Sequence, residues 1–165
     1  MDEKAKKHTL RLIPYGLYIL TARTEEDTPV LDRGVDAATV SWLSQASFDP
    51  PRIVVSLRQE STIWRRVQAS GAFVVNVVGR GQKDLASAFF RPVESRERAL
   101  GDHASHSGVT GAPILDEVPA YLECRVVQAF DAGDHTLFLA DIIEAGVQSD
   151  LEPLDLAQTG WRYGG

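Results

Sequence analysis

The sequence predicts a mainly β chain, an antiparallel, Greek-key-like barrel that is closed or partly closed and has a few short helices between its strands. Three observations predict it. Short runs rich in Val, Ile, Leu and aromatic residues recur along the chain, bounded by Gly, Pro, Asn and Asp. Two long runs towards the C-terminal end flank Asp131-Ala132-Gly133-Asp134-His135, a hairpin signal. Only a few short stretches read as helix, and one of them, Ser61 to Gly71, carries both a start and a stop.

Taken in order, Pro14 to Arg23 is β-rich and stops in the polar turn Thr24-Glu25-Glu26-Asp27-Thr28-Pro29. A second extended stretch runs from Asp36 to Phe48, where Pro50-Pro51 breaks it. Ile53 to Leu57 reads as a short apolar strand covered on both faces. Ser61 to Gly71 reads as a helix, with a hydroxyl cap, apolar Ile63, Trp64 and Val67, and a terminating glycine. Ala72 to Val78 is a strand, and Gln82 to Phe90 is a helix presenting Leu85, Ala86 and Phe89 on one face. Arg91 to Gly111 is polar and reads as irregular apart from one helical turn. Two long strands follow, Ala120 to Phe130 and Thr136 to Val147, and the tail from Leu151 reads as extended.

A chain of 165 residues fits one domain, residues 1–165, with a tail from about 150. The single cysteine, Cys124, lies in an alternating strand and is expected in the core rather than at a reactive site. With 17 basic against 23 acidic residues the net charge is −6, which opposes general nucleic-acid binding. No apolar stretch reaches membrane-spanning length. The polar start Met1 to Lys7 lacks a signal-peptide core, so the chain reads as cytoplasmic.

Chemistry concentrates at two places. Arg58-Gln59-Glu60-Ser61-Thr62 joins a strand to a helix, where unpaired backbone N–H groups and the dipole favour an anion. Its spacing suits a plain helix cap beside a solvated arginine, or a phosphate cradle. Ala37 to Ser47 carries small and hydroxylated residues on both faces. Such a strand lets a planar ligand approach the backbone, or packs closely against another element with Trp42 in the core. His135 belongs to an exposed turn, either as a contact to a second substrate or as an ordinary turn residue. His103 and His106 lack a clear further ligand, so no metal site is assigned. No Gly-x-Gly-x-x-Gly motif or Gly-x-Ser-x-Gly elbow is present.

Thr39-Val40-Ser41-Trp42 followed by Gln45-Ala46-Ser47-Phe48-Asp49-Pro50-Pro51 resembles the flavin segment of flavin-reductase-like FMN-binding split barrels. Further matches follow in order: Ile53 to Leu57, Ser61-Thr62, Gly71 to Val77, Ala112 to Leu115, Leu122 to Val126, Gly133 to Leu139 and Thr159 to Gly165. The resemblance is closest to the flavin-reductase domains of diflavin flavoproteins and high-molecular-weight rubredoxins. It implies an FMN-binding split β-barrel and a homodimer.

Thr39, Val40, Ser41 and Trp42 would lie along the isoalloxazine ring, with Ser47 approaching from the same segment. Ser56, Leu57, Arg58, Ser61 and Thr62 would hold the ribityl chain and phosphate, and His135 would face the nicotinamide. Asp36, Trp42 and Ala140 stand where relatives often carry asparagine, a small residue and glycine.

The implied activity is NAD(P)H-dependent flavin reduction, with FMN (or FAD) as flavin and NADH or NADPH as co-substrate. The cofactor carries this chemistry, so no side chain is assigned as catalytic. A monooxygenase or an electron-carrier protein would take the electrons. The rival reading is a flavoredoxin-like electron carrier that keeps its FMN, and a third is a protein that senses or stores flavin. Trp161 and Tyr163 are expected to dock on the ring site or on a dimer partner.

Overall fold

The computed structural model describes residues 1–24 and 34–164. The polar turn read after Arg23 therefore lies outside the described residues beyond Thr24. In chain order the elements are α1 (Glu3–Leu10), β1 (Tyr18–Arg23), β2 (Val35–Val40), β3 (Leu43–Ser47) and β4 (Arg52–Arg58). Next come α2 (Thr62–Ser70), β5 (Ala72–Val77) and α3 (Lys83–Ala88). Four short strands follow, β6 (Ser95–Arg96), β7 (Ala99–Leu100), β8 (His103–Ser107) and β9 (Pro113–Leu115). The long strands β10 (Ala120–Asp131) and β11 (His135–Val147) lead to α4 (Leu156–Thr159).

One antiparallel sheet of seven strands runs β2-β1-β5-β10-β11-β4-β3. Its two edge strands, β2 and β3, are consecutive in sequence and separated only by Ser41 and Trp42. A flat sheet cannot place its opposite edges two residues apart, so this one curls until they meet. At the seam Leu43 N–H donates to the Ser41 carbonyl, and Ser56 N–H donates to the Trp42 carbonyl at 2.9 Å. The result is a barrel split at Ser41-Trp42.

The core has two large clusters, because β1 and β2 are covered on both faces, and a small third one of Val74, Ala112 and Ile114. Leu20 and Ala22 of β1 join Ile53, Val55 and Leu57 of β4, with Ile63 and Val67 of α2 packed into the same cluster. On the other face Ile19, Val35 and Ala37 meet Leu85 and Phe89 from α3 and its end. α2 forms as its sequence dictates: Ser61 Oγ accepts from Trp64 N–H, and Gly71 closes the helix at φ 66°, a left-handed conformation open to glycine. Cys124 is buried as expected, and burial, with a smaller push from the Glu123 charge, raises its thiol to about 12.

Several expectations are corrected. The polar N-terminal segment is helical over Glu3–Leu10, capped by Asp2 Oδ1 accepting from Lys4 and Ala5 N–H, and it buries no residue. Arg91 to Gly111 is not irregular with a helical turn. It holds β6, β7 and β8, whose short runs gain order by pairing with one another and with β9. The stretch Asp36 to Phe48 is two strands, since the chain turns the barrel corner at Ser41. β4 is fully buried only on the Ile53, Val55, Leu57 face. The tail is not wholly extended, because Asp155 and Gln158 form a capping box that starts α4.

Candidate functional site

A cavity of about 580 Å³ opens beside the seam of the barrel. Its floor comes from β2 and the corner: Ala38, Thr39, Val40, Ser41 and Trp42. β4 and the turn into α2 supply Ser56, Leu57, Arg58, Ser61 and Ile63. The end of α3 adds Phe89 and Phe90, and the tail closes the remaining side with Leu156, Trp161, Arg162 and Tyr163.

Strand register explains why Arg58 and His135 share this cavity. They are directly paired between β4 and β11, so both side chains stand on one face of the sheet. Gln59 N–H donates to the Asp134 carbonyl at 3.0 Å, which pins the hairpin turn to the strand that ends in Arg58. His135 is only 9% exposed, contrary to the expectation of an exposed turn residue. The reason is Trp42, whose ring lies 4.8 Å from the imidazole, centroid to centroid. His135 Nδ1 lies 2.7 Å from Asp134 Oδ1. That hydrogen bond, helped by the imidazole's charge and more weakly by Arg58, holds the Asp134 carboxyl below its usual range. The contact orients the ring and directs Nδ1 away from any ligand.

β4 and the start of α2 build the end of the cavity that holds Arg58. Ser61 Oγ donates to the Arg58 carbonyl at 2.7 Å and accepts from Trp64 N–H, so the hydroxyl both caps the helix and lines the cavity. Thr39 plays a part that the sequence did not show. Its N–H donates to the Phe89 carbonyl at 3.2 Å and its hydroxyl to the Ala86 carbonyl at 2.6 Å. Both groups are spent on the end of α3, and through them Thr39 holds Phe89 and Phe90 at the cavity wall.

The tail reaches the cavity along a backbone track. Leu17 N–H donates to the Leu154 carbonyl, Leu154 N–H to the Val78 carbonyl, and Leu156 N–H to the Tyr15 carbonyl. Beyond α4, Lys83 Nζ donates to the Thr159 carbonyl at 2.6 Å and lies 5.0 Å from the Trp161 ring centre. Trp161 meets Phe90 edge-on at 4.8 Å, and Tyr163 meets Trp42 edge-on at 5.6 Å. Both tail aromatics thus pack against residues that line the cavity.

Nine expected residues line the cavity: Thr39 to Trp42, Ser56, Leu57, Arg58, Ser61 and His135. Ser47 and Thr62 do not. Ser47 pairs with Arg52 beyond the β3 irregularity, and Thr62 is the exposed first residue of α2. Sequence reasoning missed Leu17, Phe90 and Arg162 as lining residues. Phe90 carried a signal, an apolar residue beside the buried helix face, but nothing local marks Leu17 or Arg162. Asp36 does not line the cavity and instead pairs with Arg66 Nε at 3.1 Å. His103 and His106 each face one carboxylate, Glu117 and Asp116 respectively.

Among the described residues, no helix is long and apolar enough to cross a membrane. The sequence pattern of the family described as "Flavin reductase like domain" matches residues 10–164. The chain is 30% identical over 167 residues to the NADH-dependent flavin reductase StyB of Pseudomonas fluorescens, covering 100% of this chain and 91% of that protein. It is 29% identical over 160 residues to a probable flavin reductase of Rhizobium meliloti (strain 1021), covering 97% of this chain but only 48% of that protein. It is 37% identical over 105 residues, 63% of this chain, to the putative diflavin flavoprotein A 3 of Synechocystis sp., of which it spans 18%. The chain thus spans about half or less of these last two relatives. Among solved structures, the styrene monooxygenase flavin reductase of Pseudomonas putida S12 superposes with a TM-score of 0.68 at 28% identity, covering 86% of this chain and 85% of that one.

Proposed function

The chain belongs to the flavin reductase like domain family, and from that premise we propose that it is an NAD(P)H-dependent flavin reductase whose cavity holds FMN. The observation that carries the reading is one cavity joining an aromatic wall to a cationic end. Trp42, Phe90 and Trp161 offer flat apolar surface, while Arg58 and the capped start of α2 offer donors to a phosphate. The volume lies within the range of cofactor pockets.

When bound, the flavin supplies the chemistry, its N5 accepting hydride from nicotinamide C4. The chain's residues bind and orient. Arg58 and Ser61 take the phosphate end, and the corner from Val40 to Trp42 takes the ring. Asp134 fixes the imidazole of His135, which meets the nicotinamide. The tail aromatics exclude water from this end of the cavity. NADH is the preferred donor of the two nicotinamides, in line with the StyB likeness. A second copy completes a homodimer, the single domain works in the cytoplasm, and a monooxygenase consumes the reduced flavin.

Anaerobic addition of NADH to the FMN-loaded protein tests this directly. Bleaching of the flavin absorbance band within a single turnover is the expected result. Flavin that stays oxidised under excess NADH and NADPH, yet is reduced by dithionite, would overturn it. In the same assay, at subsaturating nicotinamide, His135→Ala should slow reduction tenfold or more, roughly 1–3 kcal/mol, with FMN affinity nearly unchanged. Arg58→Ala should weaken FMN by about 1.5–3 kcal/mol and riboflavin hardly at all. Equal losses for both ligands would show that Arg58 does not meet the phosphate.

One observation favours the electron-carrier reading. Tyr163 packs on Trp42, and Trp42 packs on His135, so the tail crowds the side assigned to nicotinamide. The dithionite outcome above selects that reading.

A further inference from the structure

Trp42 Nε1 is buried and has no hydrogen-bond partner, and it is the one such side-chain nitrogen or oxygen among the described residues. A buried N–H without an acceptor is costly, and native structures leave few of them. This one belongs to a residue that lines the cavity. What covers it is the tail. Gly164 adopts φ 82°, and a Cβ placed there would lie 3.4 Å from Trp42 Cζ2 and 3.9 Å from Nε1. Tyr163 lies edge-on to the same ring. The tail therefore takes the indole edge out of water without giving it an acceptor.

We propose that the Trp42 indole N–H is a ligand-binding donor, held under the C-terminal tail until an amide or imide carbonyl oxygen of a ring bound in the cavity accepts from it. The physical logic is an exchange. With the tail closed the N–H has lost its water, so a ligand carbonyl that reaches it relieves an unmet demand rather than displacing an existing bond. A ligand that moves the tail meets a donor that is already oriented, because Tyr15 and His135 pack on the indole from outside the tail. This rests on the flavin reductase reading. Two ring systems carry the required carbonyl in that reading, the pyrimidine ring of the flavin and the carboxamide of the nicotinamide.

The test separates them. Protein labelled with nitrogen-15 has three indole N–H groups, one for each tryptophan. The Trp42 signal is identified by its loss in Trp42→Phe and, in the wild type, by through-space contacts to His135 and Tyr163. FMN is added first, and then NAD⁺, which carries the carboxamide without donating hydride. The Trp42 signal should move downfield and exchange more slowly with solvent on adding one of the two, and that ligand names the acceptor. Trp42→Phe keeps an aromatic ring and removes the donor. It should bind the same ligand about tenfold more weakly, 1.4 kcal/mol, and the other within about twofold. A wild-type signal indifferent to both ligands overturns the proposal even if the variant folds poorly. So does a Trp42→Phe protein that binds both as the wild type does. In either case flavin reduction by NADH survives, and the parent reading with it. A wild type that takes up no flavin removes both.

Discussion

Two buried polar regions of this molecule are built on opposite terms. Around β5 and β10 the buried side chains of Asn76 and Glu123 find their partners within the chain. Asn76, fully buried, donates to the Ile19 carbonyl at 3.1 Å and to Thr21 Oγ1 at 3.4 Å, and accepts from Leu115 N–H at 2.8 Å. Glu123, 1% exposed, accepts from Val109 N–H, Thr110 N–H and Thr110 Oγ1 at 2.7–3.0 Å. At the barrel seam Trp42 Nε1 is equally dry and has nothing. The first region uses buried polarity to fix where β9 and the loop after β8 attach to the sheet. The second leaves one donor unmet, beside the cavity. Polar groups that hold the scaffold are paired by it, whereas one that serves a ligand waits for the ligand.

Substitutions can sharpen or break that contrast. The largest effect is expected for Glu123→Ala, which strips the acceptor from two backbone N–H groups and a hydroxyl. Denaturant unfolding should show a loss of about 3 kcal/mol or more. Asn76→Ala should cost about 2–3 kcal/mol by the same measurement, since Leu115 N–H is left buried without an acceptor. A loss under about 1 kcal/mol in either variant would mean that water replaces the missing partner, and the scaffold would not be self-contained.

Cys124 adds a pH-dependent arm. Its thiol is raised in the folded chain from an ordinary 9.0 to about 12. The folded state therefore prefers the protonated form, and its contribution is complete below about pH 9. Stability should fall as pH rises from there towards 12, and Cys124→Ala should lack that part of the decline. The smallest effect is expected at the seam. Trp42→Phe deletes a donor that has no partner, so the unfolding free energy without ligand should change by less than about 1 kcal/mol. A loss comparable to that of Asn76→Ala would show that Trp42 belongs to the scaffold instead.

Much of the fold was legible because local chemistry decided it. Ser61 and Gly71 bound α2 through a cap and a left-handed closure, and the alternating runs of β5, β10 and β11 were read close to their observed bounds. Strands β6 to β8 were not legible. Each is short, from two to five residues, and it exists because a neighbour pairs with it, which no window of sequence contains. At the site, Arg58 and Ser61 announced themselves as groups at a helix start. His135 announced itself too, but as an exposed residue, because its burial depends on Trp42 from another edge of the sheet.

By itself the sequence determined the strand-rich class, the caps and turns, the core position of Cys124, and two of the segments that line the site. These follow from side-chain type, spacing and backbone preference, which act over a few residues. Only the tertiary structure decided that the edges β2 and β3 come together at Ser41-Trp42, where the barrel is split, and that Thr39 spends its hydrogen bonds on α3. It alone decided that the tail covers the indole N–H. Those outcomes depend on which distant surfaces meet once the sheet curls, and on which polar groups are then shut away from water.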